Sequence, residues 1–481
     1  MNMLKNSKIS FILDGEIVVI DFSLSSEFSP TTTVLNYLRT MHNHKGVKEG
    51  CGIGDCGACT IVLAKLNSEN KLEYTACNSC LMFLPMLNGK QLITIENIGT
   101  PENLHPIQQA MIEANASQCG FCTPGFVMSA FALFKNPKKN SIQEIIEYLS
   151  GNLCRCTGYS SIIEAVEKSC NRNLKDHFSE KENLIIKKLK QIKPTNIYII
   201  LKNIKYFQVT NLKDTLIQKE KFPNAKLISG NTDTSIFIKN SPEKISEILD
   251  LSNIAELKNI EANKSGIFIG SSASINDILK CSEKALPVLA EILKVFGSNQ
   301  IRNLASLGGN IASASPIGDS LPVLMIYDTD VYLKSLKSER IIKLSDFISD
   351  YKKTQIEDNE IITKIFVRFP KKNQIIRSYK ISKRKSVDIS TVSGAFSIEL
   401  NENDKVEKIV LYFGAMAAVP KRATKTENFL IGKVWDRQNV EQAQKFIRQD
   451  FSPISDARAS IEGRLTIAEN LLLKFWVDTQ D

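Results

Sequence analysis

The chain has 481 residues, 61 Lys+Arg against 52 Asp+Glu, and 11 cysteines. At ~100–200 residues per domain that length predicts about three domains, and 43% apolar with 23% charged content excludes a disordered chain, a collagen-like one and a small disulfide scaffold. No apolar run reaches the ~18–20 residues of a membrane span, and the net charge of +9 comes from scattered Lys and Arg without the interleaved aromatics of a nucleic-acid surface, so no membrane or nucleic-acid partner is expected.

The N-terminal stretch "MNMLKNSKISFILDGEIVVIDF" is broken by Asp14 and Glu16 and predicts a strand hairpin, not a signal peptide. The expected compartment is the reducing cytoplasm, where clustered cysteines indicate metal or redox work over disulfides. The cysteines do cluster: Cys51, Cys56, Cys59, Cys77, Cys80, Cys119, Cys122, Cys154 and Cys156 precede the isolated Cys170 and Cys281.

Cys51, Cys56 and Cys59, in "EGCGIGDCGACTIVL", have the C-x4-C-x2-C spacing of a [2Fe–2S] loop, with a fourth Cys further on. Gly52, Gly54 and Gly57 allow the backbone to wrap with φ > 0 and to turn N–H groups toward sulfur as an anion-stabilising nest. "CTIVLAKL" then predicts a strand. The fourth thiolate is Cys77 or Cys80, in "YTACNSCLMFLPML"; spacing leaves both open. A structural zinc site is the alternative, though zinc favours two matched C-x2-4-C knuckles over a glycine-lined loop.

Two further pairs, Cys119-x2-Cys122 and Cys154-x-Cys156, have helical surroundings. Helices are predicted at 106–115, 123–135, 141–150 and 160–170. Pro106 suits a first turn. Ser141 and Glu144 form a capping box, and Gly151 reads as a C-terminal cap. One pair lies between the first two helices and the other between the last two. Two helical hairpins packed face to face would gather four thiolates at one end, where a second [2Fe–2S] cluster fits better than a disulfide or zinc.

At 171–192, "NRNLKDHFSEKENLIIKKLKQI" is charged and without a clear apolar face, so it predicts a linker or exposed helix. From about 193 strands and helices alternate. "NAKLISGNTDTSIFIKN" predicts a strand and then a turn whose free N–H groups suit a phosphate. In "FGSNQIRNLASLGGNIASASPIGDSLPVL", Gly308 and Gly309 allow close backbone approach. Ser306, Asn310, Ser313 and Ser315 offer neutral hydrogen-bonding groups, and Asp319 a carboxylate for a hydroxyl-rich ligand. No G-x-G-x-x-G or G-x-x-x-x-G-K-[ST] is present, so Rossmann and Walker sites are unsupported.

"CGIGDCGACTIVL", "QCGFCTPGFVMSAF" and "GNLCRCTGY" together resemble the iron–sulfur half of the molybdenum hydroxylases, the xanthine dehydrogenase family. The resemblance selects Cys80, which follows an Asn-Ser pair, as the fourth ligand of the first cluster. It places Gln118 toward the pterin of a molybdenum cofactor on a partner domain. "GYSS" replaces the family's usual Gly-Tyr-Arg-Pro, which bears only on local interface detail. The later segments are similar to the family's flavin domain. That likeness implies FAD with Leu227, Ile228, Ser229, Gly230, Asn231, Thr232, Asp233 and Thr234 around the pyrophosphate. Ser306, Leu307, Gly308, Gly309 and Asn310 would form a second phosphate-facing loop, Asp319 would hold a polar part of the nucleotide, and Phe296 would lie near the flavin ring, with plain core as its alternative. "KISKRKSVDISTVSGAFSIEL" and the segments after it resemble the C-terminal flavin subdomain. Lys383, Arg384 and Lys385 there could approach the flavin or an incoming nicotinamide dinucleotide, but read better as a solvated turn. His42, His44, His105 and His177 form no ligand-spaced set and read as surface or capping residues, and Trp435 and Trp476 read as core.

The implied fold is multidomain α+β. It comprises a β-grasp ferredoxin domain at 1–95, a four-helix [2Fe–2S] bundle at 96–172, a linker at 173–192, an α/β FAD-binding domain at 193–372 and a C-terminal α+β flavin subdomain at 373–481. The chain stops after the flavin region, so the resemblance implies the small, electron-transfer subunit of a two-subunit oxidoreductase of the xanthine dehydrogenase type, in a heterotetramer or higher assembly. Electrons would pass from molybdenum on a large partner subunit to the Cys119/Cys122/Cys154/Cys156 cluster, the Cys51/Cys56/Cys59/Cys80 cluster, FAD, and then NAD+ or O2. No residue on this chain is expected to catalyse the hydroxylation. The competing readings are the small subunit of an aldehyde or N-heterocycle hydroxylase, a self-contained iron–sulfur flavoprotein reductase, and a zinc-stabilised binding module without redox work.

Overall fold

The structure is a computed structural model that describes residues 6–24, 27–136, 140–171 and 174–480. The first residues of the expected hairpin segment, 1–5, and the start of the expected linker, 172–173, lie outside the described residues. The chain forms two compact units. One comprises 1–255 with 297–305, the other 256–296 with 306–481. The expected FAD-binding stretch is thus shared between them, and the short return at 297–305 belongs with the cysteine-bearing unit.

In the first unit, Lys8–Leu13 and Glu16–Asp21 form the expected hairpin, closed by Asp14 and Gly15 in left-handed conformations. Lys8–Leu13 also pairs parallel with Gln91–Ile93, which pairs with Thr60–Leu66 and through it Leu72–Asn78. Ile9, Phe11 and Leu13 alternate onto the buried face and share a core with Val34, Leu35 and Leu38 of helix Val34–Thr40. A five-stranded sheet grasping one helix is the predicted ferredoxin layout. It leaves residues 51–59 as the loop that enters Thr60–Leu66.

Four helices follow at Pro106–Glu113, Thr123–Phe134, Ile142–Leu149 and Ser160–Cys170. Thr123–Phe134 is buried from Gly125 through Leu133. It packs on strand Thr60–Leu66 and on the other helices, which is why its sequence is apolar all round. The capping box at Ser141 and Glu144 is present. Gly151, however, is not a left-handed cap; Ser150 holds the cap position. A Cβ on Gly151 would lie 2.2 Å from Gln300 Oε1 and 2.4 Å from Ser298 Cβ, so close approach explains this glycine.

The charged stretch expected as a linker forms helix His177–Gln191, and it does carry an apolar stripe. Phe178, Ile185, Leu189 and the following Ile192 are buried, the last three against Ile12, Leu66 and Leu72 of the ferredoxin sheet. Asp176 caps this helix and accepts from His105 Nε2 at 3.1 Å and Lys135 Nζ at 2.6 Å. His105 Nδ1 meanwhile accepts from Ile107 N, capping Pro106–Glu113. Burial alone would raise the Asp176 carboxyl, but these partners hold it well below the usual carboxylate range. The unit is completed by the sheet Ile197–Leu201, Ile204–Gln208, Glu247–Asp250 and Lys226–Ile228, in that order, the last two joined in parallel.

The second unit holds an antiparallel sheet ordered Ile260–Ala262, Gly266–Gly270, Ile361–Arg368, Asp330–Lys334 and Glu339–Lys343. A second sheet is ordered Gln374–Ile381, Val392–Leu400, Val406–Gly414 and Lys421–Arg422. Val392–Leu400 is buried on both faces, between helices Ser320–Ile326 and Ile461–Val477. Trp435 sits in this core at 5% exposure, and Trp476 is partly buried against it. Among the described residues no helix is long and apolar enough to cross a membrane.

The docked stripe predicts that Leu189→Ala lowers stability by ~2–5 kcal/mol, as for a buried leucine. Denaturant unfolding of the cluster-loaded protein measures this. A change within ~0.5 kcal/mol, as for a surface site, would mean a free linker helix.

Candidate iron–sulfur and flavin sites

Residues 51–59 curl around the Cys51 sulfur. It accepts backbone N–H groups from Ile53 at 3.4 Å, Asp55 at 3.3 Å and Cys56 at 3.4 Å. The curl needs Gly52, Gly54 and Gly57 at φ +68°, +85° and +71°, a region other residues rarely occupy. Gly57 also has no room, because a Cβ there would lie 2.4 Å from the Gly151 carbonyl oxygen. The hydrogen bond with Cys56, helped by the three N–H donors and opposed by burial, brings the Cys51 thiol down to about 5. Thiolate is the metal-binding form.

Cys80 and not Cys77 joins this loop in space. Cys59 and Cys80 place their sulfurs 3.3 Å apart. Asn78 Nδ2 donates to Cys59 Sγ at 3.7 Å, and Ser79 Oγ donates to the Cys59 carbonyl at 2.7 Å. The Asn-Ser pair before Cys80 thus holds the partner thiol. Cys77 sits within strand Leu72–Asn78 opposite Ile61. It is turned to the Thr75 carbonyl, and burial pushes its thiol up to about 12.

The second group forms at the ends of the helices. The Cys122 side chain interacts with Cys154, and Cys119 with Cys156. Cys154 Sγ accepts from Cys156 N, Thr157 N and Thr157 Oγ1 at 3.4, 3.4 and 3.2 Å. Burial raises the Cys154 thiol, but these donors prevail and hold it at about 7. Tyr159, left-handed at φ +70°, accepts from Cys154 N through its hydroxyl at 3.0 Å. Thr157 and Tyr159 support this group without standing out in the sequence, where their signal is "CRCTGY", a hydroxyl and a Gly-Tyr turn directly after the Cys154/Cys156 pair. Cys119 and Cys156 are exposed, with exposed Gln118 and Phe121 beside them in the chain.

Among the described residues no three His, Cys, Asp or Glu side chains converge as around a single ion. The sulfurs instead meet two by two, and the Cys51 charge is felt at both Cys59 and Cys80. A two-iron cluster takes four thiolates, two to each iron, and paired sulfurs with aimed N–H donors fit it.

The flavin-directed residues lie on two turns, one in each unit. In the first unit, strand Lys226–Ile228 leads to Gly230, pressed against the Leu304 carbonyl so that a Cβ would lie 1.7 Å from it. Asn231 follows at φ +60°, its Nδ2 donating to the Leu81 carbonyl at 2.9 Å. Helix Thr234–Asn240 begins without a side-chain cap, Asp233 making none. The buried Asn231 Oδ1 and Ser235 Oγ have no hydrogen-bond partner.

In the second unit, residues 306–310 are not the expected loop. Leu307–Ser313 is a helix capped by Ser306, whose hydroxyl accepts from Gly309 N at 3.3 Å. Leu307 and Ile311 anchor it in the core. A Cβ on Gly309 would meet nothing but the cap oxygen, at 2.9 Å. Gly308 packs on Ser271, whose buried hydroxyl, like that of Ser272, lacks a partner. Asn310 Oδ1 accepts from Ser320 Oγ. Asp319 is buried and accepts from Lys380 Nζ at 2.6 Å and Ser390 Oγ at 2.5 Å. Phe296 is half-buried, and Lys383, Arg384 and Lys385 are exposed. In the second unit by itself, the Gly309 backbone, with little over it, and the orphaned buried hydroxyls of Ser271 and Ser272 suit a ligand rich in hydrogen-bonding oxygens, such as a dinucleotide.

Comparison with known proteins agrees with this geometry. Residues 94–167 match a [2Fe-2S] binding domain, residues 202–371 the FAD binding domain in molybdopterin dehydrogenase, and residues 377–479 the CO dehydrogenase flavoprotein C-terminal domain. The chain is 32% identical to a xanthine dehydrogenase of Emericella nidulans over 92% of its own length and 36% of that protein's. It is 31% identical to that of Calliphora vicina, over 91% and 36%. It therefore spans little more than a third of the length of these relatives. Its fold matches a carbon monoxide dehydrogenase chain from Hydrogenophaga pseudoflava with TM-score 0.54 at 22% identity, covering 57% of this chain and 96% of that one. A quinoline 2-oxidoreductase chain from Pseudomonas putida 86 gives 0.53 at 20%, covering 58% and 98%. With its [2Fe–2S]-binding and FAD-binding domains in that order, the chain belongs to the molybdenum hydroxylase family of oxidoreductases, as the family's iron–sulfur and flavin part.

Proposed function

We propose that this chain is the cytoplasmic electron-transfer small subunit of a xanthine dehydrogenase, carrying electrons from a purine oxidised at molybdenum on a large partner subunit through two [2Fe–2S] clusters and FAD to NAD+. The observation that carries the reading is the meeting of cysteine side chains: Cys59 and Cys80 place their sulfurs 3.3 Å apart, and Cys51 interacts with Cys56, Cys122 with Cys154, and Cys119 with Cys156. When bound, the clusters pass single electrons and the flavin takes one or two, so a two-electron oxidation is divided and reassembled.

The chain's own residues do the holding and tuning. The N–H groups of Ile53, Asp55 and Cys56, and the Thr157 hydroxyl, stabilise thiolate charge and so set potentials. The exposed Cys119, Phe121 and Cys156 suit an electron entry point covered by the molybdenum-bearing subunit, with Gln118 toward its pterin. We assign FAD to residues 227–234 and 306–310, with Asp319 and Phe296 as further contacts. The identities to xanthine dehydrogenases support the purine and NAD+ assignments.

Affinity purification from the native cell tests the whole reading. The expected result is a larger molybdenum-containing chain in stoichiometric amount and xanthine-dependent NAD+ reduction. Turnover of NADH by the isolated chain, with no such partner, would favour a self-contained reductase. Cys80→Ser is expected to abolish one cluster's EPR signal while Cys77→Ser leaves both; the reverse would make Cys77 the ligand. Gly309→Val, whose side chain would crowd the Ser306 cap, should reduce bound FAD to a minor fraction of the wild-type content, while iron content stays unchanged. Normal flavin content would displace FAD from this turn.

A further inference from the structure

We infer that Gln300 is a positioning residue for electron passage between the two clusters, fixing the seam where the two cysteine groups meet. The inference rests on the ligand sets proposed above. It concerns residues that bind no iron themselves.

Gln300 lies on helix Asn299–Leu304, capped by Ser298, in the short stretch that returns to the cysteine-bearing unit. Its side chain is fully buried. Nε2 donates to Ser129 Oγ at 2.9 Å and to Asn152 Oδ1 at 2.8 Å. Ser129 Oγ donates to the same Asn152 oxygen at 2.7 Å. Asn152 Nδ2 then donates to the Gly57 carbonyl at 3.2 Å and to Thr60 Oγ1 at 3.3 Å. One carboxamide thus orients a second, which grips the first cysteine loop between Cys56 and Cys59.

Beside this grip the two groups are joined directly. Leu153 N donates to the Cys56 carbonyl at 3.0 Å, and Leu153 is followed in the chain by Cys154. From sulfur to sulfur, Cys56 to Cys154, the route is covalent apart from that one hydrogen bond. Electronic coupling falls steeply across gaps, so the Leu153–Cys56 bond is the weakest link of this route. Three glycines let the backbones close on each other. Cβ atoms on Gly57, Gly125 and Gly151 would lie 2.4 Å from the Gly151 oxygen, 2.3 Å from the Gly57 oxygen and 2.2 Å from Gln300 Oε1. A seam without side-chain bulk keeps its spacing only if something holds it in register, and the buried amide pair does so.

A purely structural Gln300 would affect stability alone. The test therefore reads the clusters. Gln300→Met keeps the volume and removes the donors; Gln300→Glu keeps the shape and turns the donor into an acceptor. In the full chain loaded with iron and FAD, both variants should retain iron and flavin content. Both should weaken the magnetic splitting between the two reduced clusters in low-temperature EPR. Redistribution of a flash-injected electron between the clusters should slow by roughly 10-fold or more, the range for removing a residue behind a metal ligand. Unchanged splitting and rate in either folded variant, with only the melting temperature lowered, would overturn the inference. A wild-type chain lacking two clusters would instead overturn the ligand assignment beneath it.

Discussion

Thiolates gathered on one cluster would repel by roughly 4 kcal/mol per pair at about 4 Å and the effective dielectric of a protein surface, and the hydrogen-bond donors around Cys51 and Cys154 offset such repulsion. The Cys51 sulfur collects three backbone N–H groups, and Cys154 collects two plus a hydroxyl. Those donors become available only where the backbone abandons helix and strand, which is why the cysteine loops are rich in glycine. The ferredoxin sheet and the four helices are the rigid frames from which these irregular loops are hung. Their cores, around Phe11 and Leu38 in one and Phe126 and Phe131 in the other, carry the stability that the loops do not.

The frames also explain why the two cysteine groups belong to one compact unit. Helix Thr123–Phe134 starts at Cys122 and lies on strand Thr60–Leu66, which leaves the first cysteine loop. Apolar burial thus places the loops side by side, and polar groups at the seam set their register. Helix His177–Gln191 ties back to both frames, through Ile185 and Leu189 on the sheet and Asp176 on His105 and Lys135. What reads as a connection between domains is a brace.

Much of the grouping of the cysteines was legible because spacing encodes it. C-x4-C-x2-C needs no tertiary information, and neither does the capping box at Ser141. That Cys80 and not Cys77 meets Cys59 was legible only by resemblance. Both Cys80 and Cys77 lie near the end of strand Leu72–Asn78, and one falls inside the strand facing the core while the other lies beyond it. The stripe of the brace helix was hidden by its spacing: Phe178, Ile185 and Leu189 leave charged Lys181 and Glu182 where another apolar residue would have completed the period. The helix at Leu307–Ser313 was hidden by two glycines of low helix propensity, overridden by the Ser306 cap and two buried anchors. Gln300 was invisible because its partners lie about 150 and 170 positions earlier in the chain; no local pattern reports such a contact.

On the proposed reading, eight named sulfurs hold two iron pairs that serve a bound flavin. Quantitative iron, acid-labile sulfide and flavin analysis of the anaerobically purified full chain decides this. Equal iron and sulfide are expected, in an amount that makes two [2Fe–2S] clusters for each flavin. A folded chain that is colourless, or that holds zinc in place of iron, would contradict it.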